Sequence, residues 1–174
     1  MKKEKILAQD KQHLKLLIEK EIDLNGNNCD LNHIDVSFIE HMSSLFNDTQ
    51  FNGNISQWNT CNVQTMRDMF SYSKFNGDIS AWNVSKVETM ENMFYQSRFN
   101  GDISQWNTSK VQDMYCMFSC SKFNGDISKW NIYNVKNMSI MFYSSQFNGD
   151  TSNWNAFNVQ SFIIVMRQYH IGQK

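Results

Sequence analysis

The sequence predicts an α/β repeat array, a solenoid of about six 24-residue coils behind an N-terminal capping helix. The phrase Phe-Asn-Gly-Asp-Ile-Ser, or a close variant of it, recurs every 24 residues. A fixed period of about 20–50 residues is typical of stacked repeats. A Trp follows each phrase two residues later, and apolar residues at helical spacing follow the Trp. The phrases start at Phe51, Phe75, Phe99, Phe123 and Phe147.

Residues 1–26 are predicted to form a capping helix. Helical periodicity runs over 4–22, and Gly26 is a plausible stop. A helix with one apolar stripe would cover the core that the first coil otherwise exposes to water. The residues at helical spacing are Leu7, Leu14, Leu17, Ile18 and Ile22.

Residues 27–170 are predicted to form six repeats. The first is degenerate, but Leu31 and Ile34 keep the hydrophobic class of the same positions in later repeats. In the last repeat Phe162 and Val165 replace the two methionines and Met166 replaces the phenylalanine, so this segment is either a C-terminal cap or a cut-off array. The predicted boundaries are 27–50, 51–74, 75–98, 99–122, 123–146 and 147–170.

Each repeat is predicted to contain a turn, a short strand and a short helix. Asn-Gly-Asp marks a tight turn, and an extended segment around 79–82 follows it. Val87, Met90 and Phe94 then lie on one face of a two-turn helix, with Ser85 as its N-cap. Two helical turns are not stable alone in water. Stacking of the coils would bury apolar side chains worth about 1.5–3 kcal/mol each.

Composition excludes several functional classes. The formal net charge is −1, and no column of Lys and Arg forms a nucleic-acid footprint. The N-terminus has no apolar signal region, and no apolar run is long enough for a membrane span, so we expect a soluble chain that is not obviously exported. No disulfide framework is predicted from the four cysteines, which are Cys29, Cys61, Cys116 and Cys120.

The repeats resemble those of the BspA-like bacterial surface proteins, also called PARCEL repeats. The resemblance lies in Trp-Asn-Val-Ser-Lys-Val at 82–87, in Met90 and Met93-Phe94 with their copies, and in the opening segment 27–37. It covers about residues 10–160. It implies a leucine-rich-repeat-like solenoid and a role in protein interaction or cell-surface adhesion. The family defines no catalytic residues.

Two apolar columns, sets of residues at one position of successive repeats, are interpreted as core. The tryptophan column would pack inside with each indole N–H hydrogen-bonded, although a flat aromatic strip for sugars is the alternative. The methionine pair of each repeat lies on the predicted core face, and soft-metal binding is its alternative. The tryptophans are Trp58, Trp82, Trp106, Trp130 and Trp154.

An aspartate column offers the sharpest functional hypothesis, calcium binding, by analogy with glycine-aspartate repeats that bind this ion. We favour local charge pairing, together with bonds from turn N–H groups to the carboxylates. Lys74, Arg98 and Lys122 each stand four residues before an Asp. The column consists of Asn54, Asp78, Asp102, Asp126 and Asp150.

Other polar columns are interpreted structurally. An asparagine column is predicted to form a hydrogen-bonded ladder between coils, and a serine column lies in the turn. Cys116 and Cys120 are at most half of a metal site, because a closed zinc site needs four ligands. A weak hydrolase hypothesis uses His33, His41 and Asp35. The two columns are Asn59, Asn83, Asn107, Asn131 and Asn155, and Ser56, Ser80, Ser104, Ser128 and Ser152.

We therefore expect a non-enzymatic scaffold that binds a protein, without a catalytic, cofactor or metal site. A calcium- or carbohydrate-dependent adhesin that uses the Asp or Trp column is the alternative. The partner, compartment and oligomeric state are not predicted. The variable positions expected to face a partner are Gln57, Ala81, Gln105, Lys129 and Asn153, and a second column of Arg67, Glu91, Tyr115 and Ser139.

Overall fold

The structure, a computed structural model, describes residues 3–160. Its helix and strands, in chain order, are β1 (Ile6–Leu7), α1 (Lys11–Asn25) and β2 (Ile34–Asp35). The two strands pair in parallel, with Ile6 opposite Ile34 and Leu7 opposite Asp35. After α1 the chain therefore returns to lie beside its own N-terminal strand.

The predicted N-terminal helix is present, but it begins at Lys11 rather than at residue 4. The Asp10 side chain accepts a hydrogen bond from the His13 N–H at 2.8 Å and so caps the first turn. The helix ends at Gly26, whose positive φ of 79° favours glycine. Leu14 and Ile18 are buried against the repeats. Ile6 and Leu7, which were predicted to lie in the helix, form β1 instead.

After α1, residues 24 apart in sequence lie beside one another. Leu31 donates a backbone hydrogen bond to Asn54 at 2.9 Å, and Gln112 donates one to Glu88 at 2.8 Å. Each described repeat is therefore hydrogen-bonded to the next, as parallel strands are. Parallel bridges join Asp30 to Asn54, His41 to Thr65, Thr65 to Thr89, Thr89 to Asp113 and Asp113 to Asn137.

The prediction of a short helix in each repeat is wrong, because these segments form successive turns. Each segment contains a pair of left-handed residues four positions apart, such as Asp68 (φ 55°) and Tyr72 (φ 58°), and an α-helix cannot contain them. The backbone N–H groups also bond elsewhere: Asp68 donates to Glu91 and Phe70 to Met93, each at 2.9 Å. Hydrogen bonds between repeats replace those that a helix would make within one repeat.

The predicted turn and strand in the first half of each repeat are also misplaced. In the repeat 75–98, Asn-Gly-Asp is not a turn, and a turn falls instead at Ser80 and Ala81. The short strand around 79–82 is absent, and the bridge in this repeat is at Thr89. Glycine is required for close packing, because a Cβ at Gly101 would lie 2.8 Å from a ring carbon of the buried Phe99.

Columns of aromatic rings and methionines fill the interior. One row consists of Phe46, Phe70, Phe94, Phe118 and Phe142, with centroids 5.5–5.7 Å apart and interplanar angles of 1–4°. A second row consists of Phe51, Phe75, Phe99, Phe123 and Phe147, spaced 6.1–6.3 Å apart. The methionines predicted for the core are at most 1% exposed, namely Met66, Met69, Met90, Met93, Met114, Met117, Met138 and Met141.

The sixth predicted repeat is described only in its first part. Trp154 and Val159 are partly buried and pack against the core. The segment 161–170, with the predicted replacements at Phe162, Val165 and Met166, lies outside the described residues.

Candidate interaction surfaces

The tryptophan column lies in the core, as predicted. The first four tryptophans are only 3–4% exposed, and Trp154 is partly buried. Each indole N–H donates to the carbonyl of the residue 27 positions earlier, at 3.0–3.2 Å. The column thus offers no flat aromatic strip to a sugar, and the carbohydrate interpretation of these residues is wrong.

The aspartate column makes local turns, also as predicted. An Oδ1 atom in each accepts the backbone N–H two residues later at 2.8–2.9 Å. These bonds favour the charged carboxylate and lower the pKa of each Asp. For Asp102, the neighbouring charges of Asp126 and Asp78 oppose the shift. The residues concerned are Asp78, Asp102, Asp126 and Asp150.

The predicted charge pairs beside this column do not form. Within residues 3–160, the ion pairs lie on α1 and around Arg67, and none joins Asp78, Asp102 or Asp126 to the cation four residues earlier. Backbone N–H groups, not lysine or arginine, therefore stabilise the stacked carboxylates. No group of three His, Cys, Asp or Glu side chains in the same part of the chain could hold a metal ion.

The predicted asparagine ladder belongs to a different column. The Oδ1 atoms of Asn83 and Asn107 bond the backbone N–H two residues later, within their own repeats. The asparagine of Phe-Asn-Gly connects the repeats instead, since Asn76 Oδ1 accepts the backbone N–H of Asn100 at 2.7 Å. The connecting column runs through Asn52, Asn76, Asn100, Asn124 and Asn148.

The residues of the hydrolase hypothesis have separate partners. The buried His33 places Nε2 3.3 Å from Glu21 Oε1 on α1. Asp35 Oδ1 accepts the Ser37 N–H at 2.9 Å, and hydrogen bonds from Ser37 lower the pKa of Asp35. His41 is exposed. These contacts connect the helix to the first repeat and do not build a nucleophile–base pair.

Glu21 supplies the negative charge in the contact between α1 and the first repeat. Burial alone would raise the pKa of Glu21, but the hydrogen bonds and charges of Lys3 and His33 outweigh burial and lower it. Glu21 is therefore a charged link between the N-terminal segment, α1 and the first repeat.

The cysteines form no shared site. Cys116 is buried and Cys120 is exposed, and both are free thiols at left-handed backbone positions. Burial is the main cause that raises the pKa of Cys116, which disfavours the thiolate that a metal would need.

The two columns predicted to face a partner differ in exposure. Gln57, Gln105 and Lys129 are exposed, as are the other members of their column, Ala81 and Asn153. In the second column exposure decreases along the chain, from Arg67 through the half-buried Glu91 and Tyr115 to the buried Ser139. The second column is therefore available mainly in the first half of the array.

Around the second column lies a larger surface, which we call the tyrosine face. The sequence predicted its Arg67, Glu91 and Tyr115 as partner-facing, but its other three tyrosines were not predicted. Tyr72 and Tyr143 are about half exposed, at 49% and 47%. The rings of Tyr72 and Tyr95 meet edge to face with centroids 5.2 Å apart. The face is defined by Arg67, Tyr72, Glu91, Tyr95, Tyr115 and Tyr143.

Contacts between neighbouring repeats hold the tyrosine face in place. Arg67 bridges to Glu91 at 3.1 Å and to Asp68 at 3.3 Å. Burial raises the pKa of Glu91, although the charge of Arg67 opposes this shift. The neighbouring Tyr95 side chain is the main cause that raises the pKa of Tyr72. A raised pKa keeps Tyr72 a neutral, amphipathic contact group at neutral pH.

The comparisons with known proteins identify a family but no function. Within residues 3–160, no helix has the length and apolar character needed to cross a membrane. Neither a curated protein nor a solved structure matches the chain. A family model described as "Mycoplasma protein of unknown function, DUF285" matches residues 19–119 and 95–170. Because these matches cover most of the sequence, the chain belongs to the DUF285 family of Mycoplasma proteins.

Proposed function

We propose that the chain is a non-enzymatic, leucine-rich-repeat-like solenoid scaffold that binds a protein partner through the tyrosine face. The observation that carries this proposal is a cluster of exposed and half-buried tyrosines on a face that also carries an arginine, since Tyr and Arg are enriched at binding hot spots. Tyr72 and Tyr95 supply contact area, and the Arg67–Glu91 ion pair of the second column supplies charged groups on the same face.

The backbone beneath the face supports this role. Asp68, Phe70 and Tyr72 each donate a backbone hydrogen bond of 2.8–2.9 Å to the next repeat. A surface on such a framework loses little conformational entropy when a partner binds, because its backbone is already ordered. The resemblance to BspA-like surface proteins supports an adhesive form of the same activity.

Site-specific photo-crosslinking in the native cell tests the proposal. A photoreactive phenylalanine analogue at Tyr72 or Tyr143 should give one discrete protein adduct. The same analogue at Gln57 or Gln105, which are exposed in another column, is the matched control. Replacing Tyr95 with Ser should weaken the adduct at Tyr72. Equal adducts at all four positions, or none at the two tyrosines, would contradict a partner on this face.

Calcium binding by the aspartate column is a separate hypothesis with a separate test. The Oδ1 atoms of Asp78 and Asp102 already accept hydrogen bonds from the backbone. We therefore expect the thermal midpoint to be the same with calcium and with a chelator. A rise of several degrees with calcium would instead make a calcium-dependent adhesin the leading function.

A further inference from the structure

An open trough of about 360 Å³ lies on a different set of columns from the tyrosine face. Each repeat contributes two wall residues that are two positions apart in sequence, such as Lys110 and Gln112. The valine between them, Val111 or Val135, is buried in the core. The trough therefore runs between two exposed columns. It is lined by Glu88, Lys110, Gln112, Asn134 and Lys136.

The walls of the trough are fixed by hydrogen bonds. Gln112 donates its backbone N–H to Glu88, and Lys136 donates to Gln112, both at 2.8 Å. The Asn134 side-chain amide donates to the Ser109 carbonyl at 2.7 Å. Lys136 Nζ donates to Gln112 Oε1 at 2.9 Å, which leaves the Gln112 amide N–H₂ free to donate. The donors thus occupy defined positions before a ligand arrives.

Positive charge in the trough exceeds the negative charge available to neutralise it. Among the described residues, Lys110 has no ion pair and no side-chain hydrogen bond, and Lys136 uses one of its three N–H donors, on a neutral amide. Glu88 is the one carboxylate in the lining, and it also makes no ion pair there. Two ammonium groups and one amide N–H₂ are available together for an anionic oxygen.

We propose that this trough binds a carboxylate side chain of an acidic peptide segment between Lys110 and Lys136. The Gln112 N–H₂ supplies a third donor, and charge-assisted hydrogen bonds provide the attraction. Glu88 repels a second carboxylate at its end of the trough, so the site accepts separated acidic residues better than a dense acidic run. Because the ammonium groups are exposed, the interaction is weak and sensitive to salt.

The test is a titration at low salt, followed by amide NMR shifts, with a tetrapeptide blocked at both ends that carries one glutamate among three glutamines. The matching tetraglutamine peptide is the control ligand. Lys110→Gln and Lys136→Gln should each weaken binding about threefold, and about tenfold together, since exposed charge pairs contribute modestly. Glu88→Gln should strengthen binding, because it removes the repelling carboxylate.

Lys122→Gln is the matched protein control, since Lys122 is an exposed lysine in another column. Lys122→Gln should leave peptide binding unchanged, and so should Tyr72→Ser on the tyrosine face. A failure of the trough proposal can therefore be distinguished from a failure of the proposed function. Equal loss with Lys122→Gln, unchanged binding in the double variant, or equal binding of tetraglutamine would overturn the proposal. Thermal melting of every variant shows whether the fold is intact.

Discussion

Replacing Trp106 with Ala should destabilise the protein much more than replacing Trp154 with Ala. Trp106 is 4% exposed, and its ring lies 6.5 Å from Phe94 and 6.4 Å from Trp130. Truncation of a buried Trp costs about 3–5 kcal/mol. It also leaves the Ile79 carbonyl without its indole donor. Trp154 is only partly buried, so its truncation should cost roughly 1–2 kcal/mol.

Urea unfolding followed by far-UV circular dichroism measures this difference, with each midpoint taken from the variant's own folded and unfolded baselines. With a slope of about 1–3 kcal/mol per molar urea, the two midpoints should differ by roughly 1 M. Trp106→Phe is the control if Trp106→Ala does not fold, since it keeps a ring and loses the N–H, at about 1 kcal/mol. Equal midpoints for the two alanine variants would refute the reasoning from stacked repeats.

Three further changes test particular features of the repeats. Gly101→Ala should cost about 1–3 kcal/mol, because its Cβ would lie 2.8 Å from a ring carbon of Phe99, and an unchanged urea midpoint would contradict this packing. Ile140→Asn should raise the thermal midpoint by relieving about 1 kcal/mol of strain at φ 50°; a lower midpoint would show that side-chain packing outweighs the backbone strain. Asp102→Asn should keep the turn to Ser104, as an amide oxygen also accepts this bond, but should reduce the loss of stability in acid. The folded-state pKa of Asp102 is lowered, so its contribution is present above the unfolded pKa of about 3.9 and is lost as pH falls through the folded value; identical acid unfolding of variant and parent would contradict this role.

The sequence was sufficient to predict the core columns, because their periodicity survives substitution. Trp106 and Met90 occupy positions that stay apolar in every described repeat, and both are buried. The end of α1 at Gly26 was predictable for a local reason, since glycine adopts a positive φ without strain. Structural features that depend on one recurring position, or on the conformation of one residue type, could therefore be predicted from the sequence.

The path of the backbone between those columns was not predictable. Apolar residues such as Val87, Met90 and Phe94 have the spacing of a helical face, but the left-handed positions that exclude a helix carry residues as different as Asp68 and Ile140. No residue preference marks them. The hydrogen bonds that replace the helix reach the next repeat, so a local pattern does not contain them.

The roles of the two asparagine columns and the extent of the tyrosine face were not predicted, for different reasons. Asn76 and Asn83 belong to equally regular columns, and only the geometry shows that Asn76 connects repeats while Asn83 makes a local turn. The tyrosines occupy variable positions in three columns, and Tyr72 contacts Tyr95 across a repeat boundary. When the sequence is compared repeat by repeat, these residues are assigned to different columns, although they form one surface in the fold.

The asparagine column has a consequence for how such proteins vary in length. Each link, such as Asn76 to Asn100 and Asn100 to Asn124, joins chemically identical groups 24 residues apart. Duplication or loss of one whole 24-residue unit at the genetic level would therefore restore every link with the same partners. An insertion of any other length would break the register at one junction. Relatives can thus differ in the number of repeats with the least loss of contacts. Each added repeat increases the surface available to partners by the same area.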